Sequence, residues 1–424
     1  MAWLWSQFQS QAQSQMQQWW HRLDPHSPTP GDPGVAGAEQ PHAFPPEHLT
    51  QLRSQIQALR VPPVQTEAIT TALAQALDRW QQDPTRCNGL VVLGSPVDPI
   101  EAMVKQALAQ THLPHPAKIL TWTQRPELML NLPQQLQAGF PLPLDLECRS
   151  PEVVALPRLE LAFLRGMSGL DGIEWIRDQV FAQRSRFWLV GCPSWAWAYL
   201  DITLQIGSYF DVVVKIPELD RKQMSSWLQP AWSGVSPQKA TLSQFQALTQ
   251  ELSQSQDPAP DEIVDTYFKI LADISKGRSA IAAQLWLGSL SQSESESESS
   301  DSGPSESESS DSGPSDPESA GADTHSAILT DAHILWKSPT LPTLPDLANH
   351  DKYLLYAVLL HRSISLPHLA VSLGASVSAT QSQVQSLLRA GLLELHQGIL
   401  SVSPIHYLKL RALLAGDNFL VGDT

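Results

Sequence analysis

The sequence predicts an α/β protein: a parallel-sheet domain with a helical extension, followed by a small α+β domain. Three observations carry this. Apolar runs of strand length alternate with helical patterns between residues 89 and 216, which implies right-handed crossovers and a sheet covered on both faces. After Pro217 the patterns are helical only. Beyond residue 328 the chain reads as three helices and an alternating hairpin around Gln397-Gly398, with a last helix after it.

The 424 residues leave room for two or three domains at roughly 150 residues each. With 43 acidic residues against 27 Lys and Arg the formal charge is −16, which disfavours a general polyanion binder unless basic residues are locally concentrated. No run approaches about 18 uninterrupted apolar residues, the length a spanning helix needs. Cys87, Cys148 and Cys192 are too scattered for a disulfide framework or a thiolate metal site and point to a reducing compartment. The 13 His form no HExxH-like pattern, so no metal is expected. The expected location is the cytoplasm, with membrane contact through the first helix as an added option.

In chain order, residues 1–23 place Leu4, Trp5, Phe8, Ala12, Met16, Trp19 and Leu23 on one side of a helix opposite Gln and Ser. Trp3, Trp5, Phe8, Trp19 and Trp20 then suit a partner surface or a membrane interface, although the near absence of Lys and Arg removes attraction to anionic lipid. Residues 24–46 are a Pro and Gly linker, and residues 47–290 are the body, with its helical extension from about 217. From 291 to 325 runs a linker in which the unit ESESSDSGPS occurs twice. Its ten acidic residues between 291 and 323, with no Lys or Arg, predict an extended, solvated tether. Its serines beside Glu and Asp suit an acid-directed kinase, but a low-complexity expansion without regulation is the favoured reading. Residues 328–424 form the last domain.

Within the body, AITTALAQALDRW is a helix, GLVVL a buried strand, GSPVDP a loop and residues 100–110 a second helix. Further strands are expected at 118–122, 159–164, 187–191 and 212–216, with helices at 170–182 and 196–208. LDRKQMSSWL, DEIVDTYFKILADI and AIAAQLWLGSL complete the helical part.

This order resembles the P-loop NTPases of the AAA+ and STAND type over about residues 64–290. The resemblance implies that GSPVDP is the phosphate loop, that LELAFL carries the second acidic motif, that FWLVG carries a polar sensor, and that the helical tail is a lid. The residues depart from that pattern. Aligned on Gly94, Pro99 stands for the second Gly, Ile100 for the Lys and Glu101 for the Ser or Thr. Pro96 and Pro99 each remove an amide donor. Asp98 and Glu101 put negative charge where a triphosphate would sit, an error of the order of several kcal/mol if both stay ionised away from water. LELAFL is followed by Arg165 and Gly166 rather than an acidic pair, and Glu160 reads as a structural or edge residue. Hydrolysis is therefore not expected. A weak anion or nucleotide site would use Gly94, Arg165 and Arg278; the favoured reading of both arginines is salt bridging or capping in a retired site. Lys105 reads as a solvated charge, Cys192 as a small buried thiol without a base, and Trp195 and Trp197 as packing residues.

In the last domain, helices are expected at 352–362, 366–373 and 379–390, a hairpin in LLELHQGILSVSP and a helix at 406–414. This resembles the winged-helix family over about residues 351–414. Gln381, Gln383, Gln385 and Arg389 on the third helix are the candidate DNA or partner contacts, since Gln suits adenine. From residue 328 on, six acidic residues face six Lys and Arg, so few phosphate contacts are available and protein docking is favoured. The functional expectation is a non-catalytic AAA+/STAND-like scaffold or adaptor with protein partners and no cofactor, weak ATP or ADP binding staying open. The alternatives are a DNA-binding regulator and a nucleotide sensor that does not hydrolyse.

Overall fold

The computed structural model describes residues 46–83, 88–113, 117–120, 124–127, 129–139, 152–166, 169–232, 260–292 and 334–422. The Trp-rich segment with Trp3, Trp5, Phe8, Trp19 and Trp20, the linker that follows it, and the acidic repeats lie outside these residues.

Two helices lead in, α1 (Pro46–Ala58) and α2 (Pro63–Gln82), the second opened by a proline where an N–H would have no helical partner. Then come β1 (Gly89–Gly94), α3 (Ile100–Gln110), β2 (Ala117–Ile119), α4 (Leu132–Gly139), β3 (Glu152–Leu156), α5 (Asp171–Ala182), β4 (Arg186–Pro193), α6 (Ser194–Leu204) and β5 (Val212–Lys215). The strands pair in parallel in the order β2-β3-β4-β1-β5. Along β1, Leu90 and Val92 pack with Leu73 of α2 and Val104 of α3, while Val91 and Leu93 pack with Ile176 of α5 and Leu200 of α6. Helices on both faces leave no position of β1 or β4 exposed, which is why these strands read as unbroken apolar runs. This is the P-loop NTPase-like α/β class that the sequence predicts. Helices α7 (Arg221–Trp232), α8 (Pro260–Ser275) and α9 (Ser279–Gly288) form its helical extension.

The strand expected at 159–164 is not one. The strand there is β3, and Leu159–Ala162 is a 3₁₀ turn. Pro157 has no N–H to continue the ladder, so the sheet ends before it. Leu159 and Phe163 are apolar because they are buried in the core shared with the C-terminal helices, not because they belong to the sheet, and Leu161 is buried as well. Helices α1 and α4 have no counterpart in the sequence reading.

The linker boundary at 291 also moves. Residues Leu290–Gln292 form β6, which pairs antiparallel with β7 (Ile334–Trp336), and Lys337 N–H donates to Ser289 O at 2.7 Å. The chain on either side of the acidic segment is therefore joined side by side, Ser291 and Gln292 belonging to the strand, while the rest of the expected tether lies outside the described residues.

The C-terminal part consists of α10 (Asn349–His361), β8 (Ile364–Ser365), α11 (Leu366–Leu373), α12 (Val377–Arg389), β9 (Leu393–His396), β10 (Ile399–Val402) and α13 (Tyr407–Gly416), with its strands in the antiparallel order β8-β10-β9. Gln397 (φ 51°) and Gly398 (φ 81°) supply the two positive φ values that a tight hairpin turn requires. This part shares one core with the body. Trp195 Nε1 donates to Tyr407 Oη at 3.1 Å, Phe163 lies 4.8 Å from the His361 ring, and Gln284 bonds both Glu394 and the Ile405 amide. Near the end of the chain Gly422 packs so closely on the Ser194 carbonyl that a Cβ would come within 2.3 Å of its oxygen.

His361 is fully buried in this joint and accepts the Arg165 amide at 3.3 Å through Nε2. Burial first, then Arg125, Arg165 and His368 around it, hold its pKa well below the ordinary 6.5. The folded state thus refuses a proton that the unfolded chain accepts, so stability is complete above about pH 6.5 and falls as the pH drops below it. His361→Gln is expected to shrink the loss of urea midpoint between about pH 7.5 and 5.5; an unchanged loss would remove His361 from the acid response.

Candidate functional site

The chain leaves β1 towards one edge of the sheet and β4 towards the other, so the carboxyl end of β1 is the switch point where α/β sheets place their ligands. The residues there are Gly94-Ser95-Pro96-Val97-Asp98-Pro99, leading into α3. Asp98 N–H donates to Ser95 O at 3.0 Å, Ile100 N–H to Asp98 O at 2.9 Å and Met103 N–H to Pro99 O at 3.1 Å. Ser95 N–H donates at 2.7 Å to the Asp98 carboxylate. Pro96 and Pro99 have no amide to give. Two amides of this loop, those of Ser95 and Asp98, are therefore spent on the loop itself, and those of Ile100 and Met103 in α3 turn back onto it.

Asp98 is fully buried and its Oδ2 also takes Arg278 Nη1 at 3.0 Å. Arg278 is delivered by the turn between α8 and α9. Gly277 sits at φ 63°, and a Cβ on it would lie 2.5 Å from the Leu219 amide, so glycine is required on both counts. Gly94 has a steric role too, because a Cβ there would meet Ile216 at 2.6 Å and Ile100 at 2.9 Å. Ile100, in the position of the expected lysine, is buried against the ends of β1 and β4.

Of the three residues expected to form an anion site, the structure joins Gly94 and Arg278 through Asp98. Arg165 goes elsewhere: its guanidinium stacks 5.7 Å above the Tyr356 ring, next to His361. Its expected place at a strand end fails because the strand ends at Leu156. Lys105 pairs with Glu101 at 2.7 Å on the surface, and Cys192 is buried, which pushes its thiol pKa up. On α12, Gln381, Gln385 and Arg389 are exposed while Gln383 is half-buried. Among the described residues no group of His, Cys, Asp and Glu could hold a metal, and no helix is long and apolar enough to cross a membrane.

A second set of residues surrounds Glu160, which the sequence marks as structural, and its arginines carry no local signal. Glu160, 1 % exposed, accepts Arg158 Nε at 3.1 Å and has Arg362 Nη1 at 3.8 Å. Arg125, also buried, donates to the Phe163 carbonyl at 2.8 Å and to the Glu160 carbonyl, and its pKa is lowered by burial to about 10. Arg362 donates to the Asp98 carbonyl at 2.7 Å, and Arg158 to Ser363 Oγ at 2.8 Å. These bonds tie the phosphate-loop position to the end of α10. The motif comparison points to the residue after an apolar strand, but the misplaced strand pointed it at Arg165 instead of Arg158.

No family model matches the chain, and no curated protein does. Solved structures that it is similar to include the Holliday junction branch migration motor RuvB of Thermotoga maritima (14% identity, 81% of this chain and 94% of that one, TM-score 0.27). Others are Cdc6p of Pyrobaculum aerophilum (11% identity, 83% and 94%, TM-score 0.31) and the ORC2 protein of Aeropyrum pernix (10% identity, 84% and 96%, TM-score 0.32). The fold class rests on the strand order and the covered sheet described above.

The Asp98–Arg278 pair makes a direct prediction. Asp98→Ala or Arg278→Met leaves one buried charge uncompensated and is expected to cost about 3–5 kcal/mol, whereas the double variant should cost less than the sum. Urea unfolding of the four proteins in a double-mutant cycle measures this, and additive losses would mean that the two side chains do not act as a pair.

Proposed function

We propose that the chain is a non-catalytic AAA+/STAND-like protein whose C-terminal part is a winged helix and whose role is that of an interaction scaffold or adaptor. The observation that carries this reading is the buried Asp98 carboxylate, which takes the amide and the arginine that a phosphate would need. Pro157 and Arg158, following β3, supply no acidic pair for magnesium either. A fold whose phosphate-loop position turns the Ser95 amide and Arg278 onto its own carboxylate retains its surfaces, and those surfaces are the means of acting that this reading assigns to it. The body and the winged helix present them as one block, because their cores are continuous.

ATP with magnesium, and ADP, up to millimolar concentration are expected to leave the melting temperature unchanged, with no turnover. Turnover abolished by Arg278→Met would overturn the reading. Affinity purification of the intact chain and of a chain lacking residues 1–23 identifies partners and shows whether the first segment recruits them.

A second reading, a DNA-binding regulator, is favoured by one observation: Gln381, Gln385 and Arg389 share the exposed face of α12. It requires salt-dependent binding to duplex DNA that is lost in Arg389→Glu, and absence of binding at low salt removes it.

A further inference from the structure

The chain turns back on itself after α13. Asn418, at φ 62°, takes the left-handed conformation that ends the helix, and Phe419 N–H closes the turn on Leu414 O at 3.0 Å. Residues 419–422 then run without regular secondary structure and touch two elements in succession. The Phe419 ring lies 5.1 Å from the rings of both Tyr353 and Tyr356 on α10. Three residues on, Gly422 is buried at the amino end of α6, where a Cβ would come 2.6 Å from the Trp195 amide nitrogen. Glycine lets one backbone approach another this closely, and a larger residue would push them apart.

These two anchors stand on opposite sides of a seam. Tyr356 belongs to the C-terminal part and Trp195 to the body, and their ring centroids are 5.9 Å apart. Phe419 and Val421 are half-buried against the core that both parts share. Three residues extend about 10 Å at most, so the crossing is made in one short step. The hold of this strap is slight compared with that of the core. Gly416, Asp417 and Asn418, which lead into it, are exposed. The Lys352–Asp417 ion pair at 2.9 Å lies partly in water, where such a pair contributes little. A segment anchored by one aromatic ring and one glycine opens locally long before the sheet does.

We propose that the seam between α6 and α10 is a peptide-binding groove that residues 417–422 close in cis, an autoinhibitory strap, and that its ligand in trans is an extended peptide with an aromatic residue three positions before a glycine. The aromatic residue packs on Tyr353 and Tyr356, and the glycine brings the peptide backbone onto Ser194 and Trp195. Attached to the chain, the strap acts at an effective concentration of about millimolar, so it excludes weaker competitors until it is released. The proposal goes beyond the scaffold reading and rests on the seating of residues 417–422 alone.

Hydrogen exchange of the full chain tests it, read in α6 and α10 with β1 and β4 as the internal reference. Phe419→Ala removes two aromatic contacts and is expected to speed exchange in the first turns of α6 roughly ten-fold while β1 and β4 keep their rates. Gly422→Val is the second variant: it keeps the aromatic anchor, crowds the Ser194 carbonyl and should open the same amides. A synthetic peptide with the sequence of residues 417–422, DNFLVG, is added at millimolar concentration. It is expected to restore slow exchange in both variants and to leave the unaltered chain as it was, because that groove is filled. The same peptide with alanine in place of phenylalanine should restore nothing. Unchanged exchange in α6 in both variants would overturn the proposal, as would equal acceleration in β1 and β4. Protection that DNFLVG fails to restore, or that the alanine peptide restores equally well, would overturn it too.

Discussion

One buried ion pair organises the centre of this molecule. Asp98 and Arg278 come from opposite ends of the body, the loop after β1 and the turn before α9, and meet at 3.0 Å with almost no exposure. Neither charge can be left alone at that depth, so the loop, the helical extension and the end of the sheet have to arrive together. The pair also decides what the loop is for. A loop that opens its amides outward can cradle a ligand. This one turns them inward on a carboxylate that it supplies itself, and the carbonyl of the same residue becomes an anchor for Arg362.

That arrangement links the two parts of the chain more closely than their composition suggests. Arg362 touches the loop, Arg158 touches Ser363, and Trp195 and Tyr407 share a hydrogen bond beneath them, with the Tyr407 phenol pushed up to about 12 by burial. Polar contacts at the rim and aromatic packing below give the joint both direction and area. The C-terminal part is therefore held at a fixed angle by side chains rather than hung from a linker.

Much of the fold was legible in the sequence, and the places where it was not have physical reasons. Strands β1 and β4 stood out because both faces of the sheet are covered, so every position is buried and, beyond Arg186, none is charged. The hairpin at Gln397-Gly398 stood out because only certain residues accept its φ values. The run at 159–164 misleads because burial under neighbouring helices produces the same apolar signature as a strand, and the true end of the strand is marked by one residue, Pro157. At the candidate site, Asp98 was visible as a charge in the wrong place for a phosphate, and Arg278 as a cation near the crevice. That the two compensate each other is a relation across 180 positions, which no local pattern encodes. The cluster of Arg125, Arg158, Arg362 and Glu160 was hidden for the same reason.

The ribbon of β6 and β7 changes what the repeated acidic units mean for the molecule. Since Leu290 sits beside Trp336, the chain between them is a closed excursion whose length is not used to span any distance. Closing such an excursion costs free energy that grows only with the logarithm of its length, so one more ten-residue unit adds about 0.2 kcal/mol. Copies of ESESSDSGPS can therefore be gained or lost without moving the body against the C-terminal part.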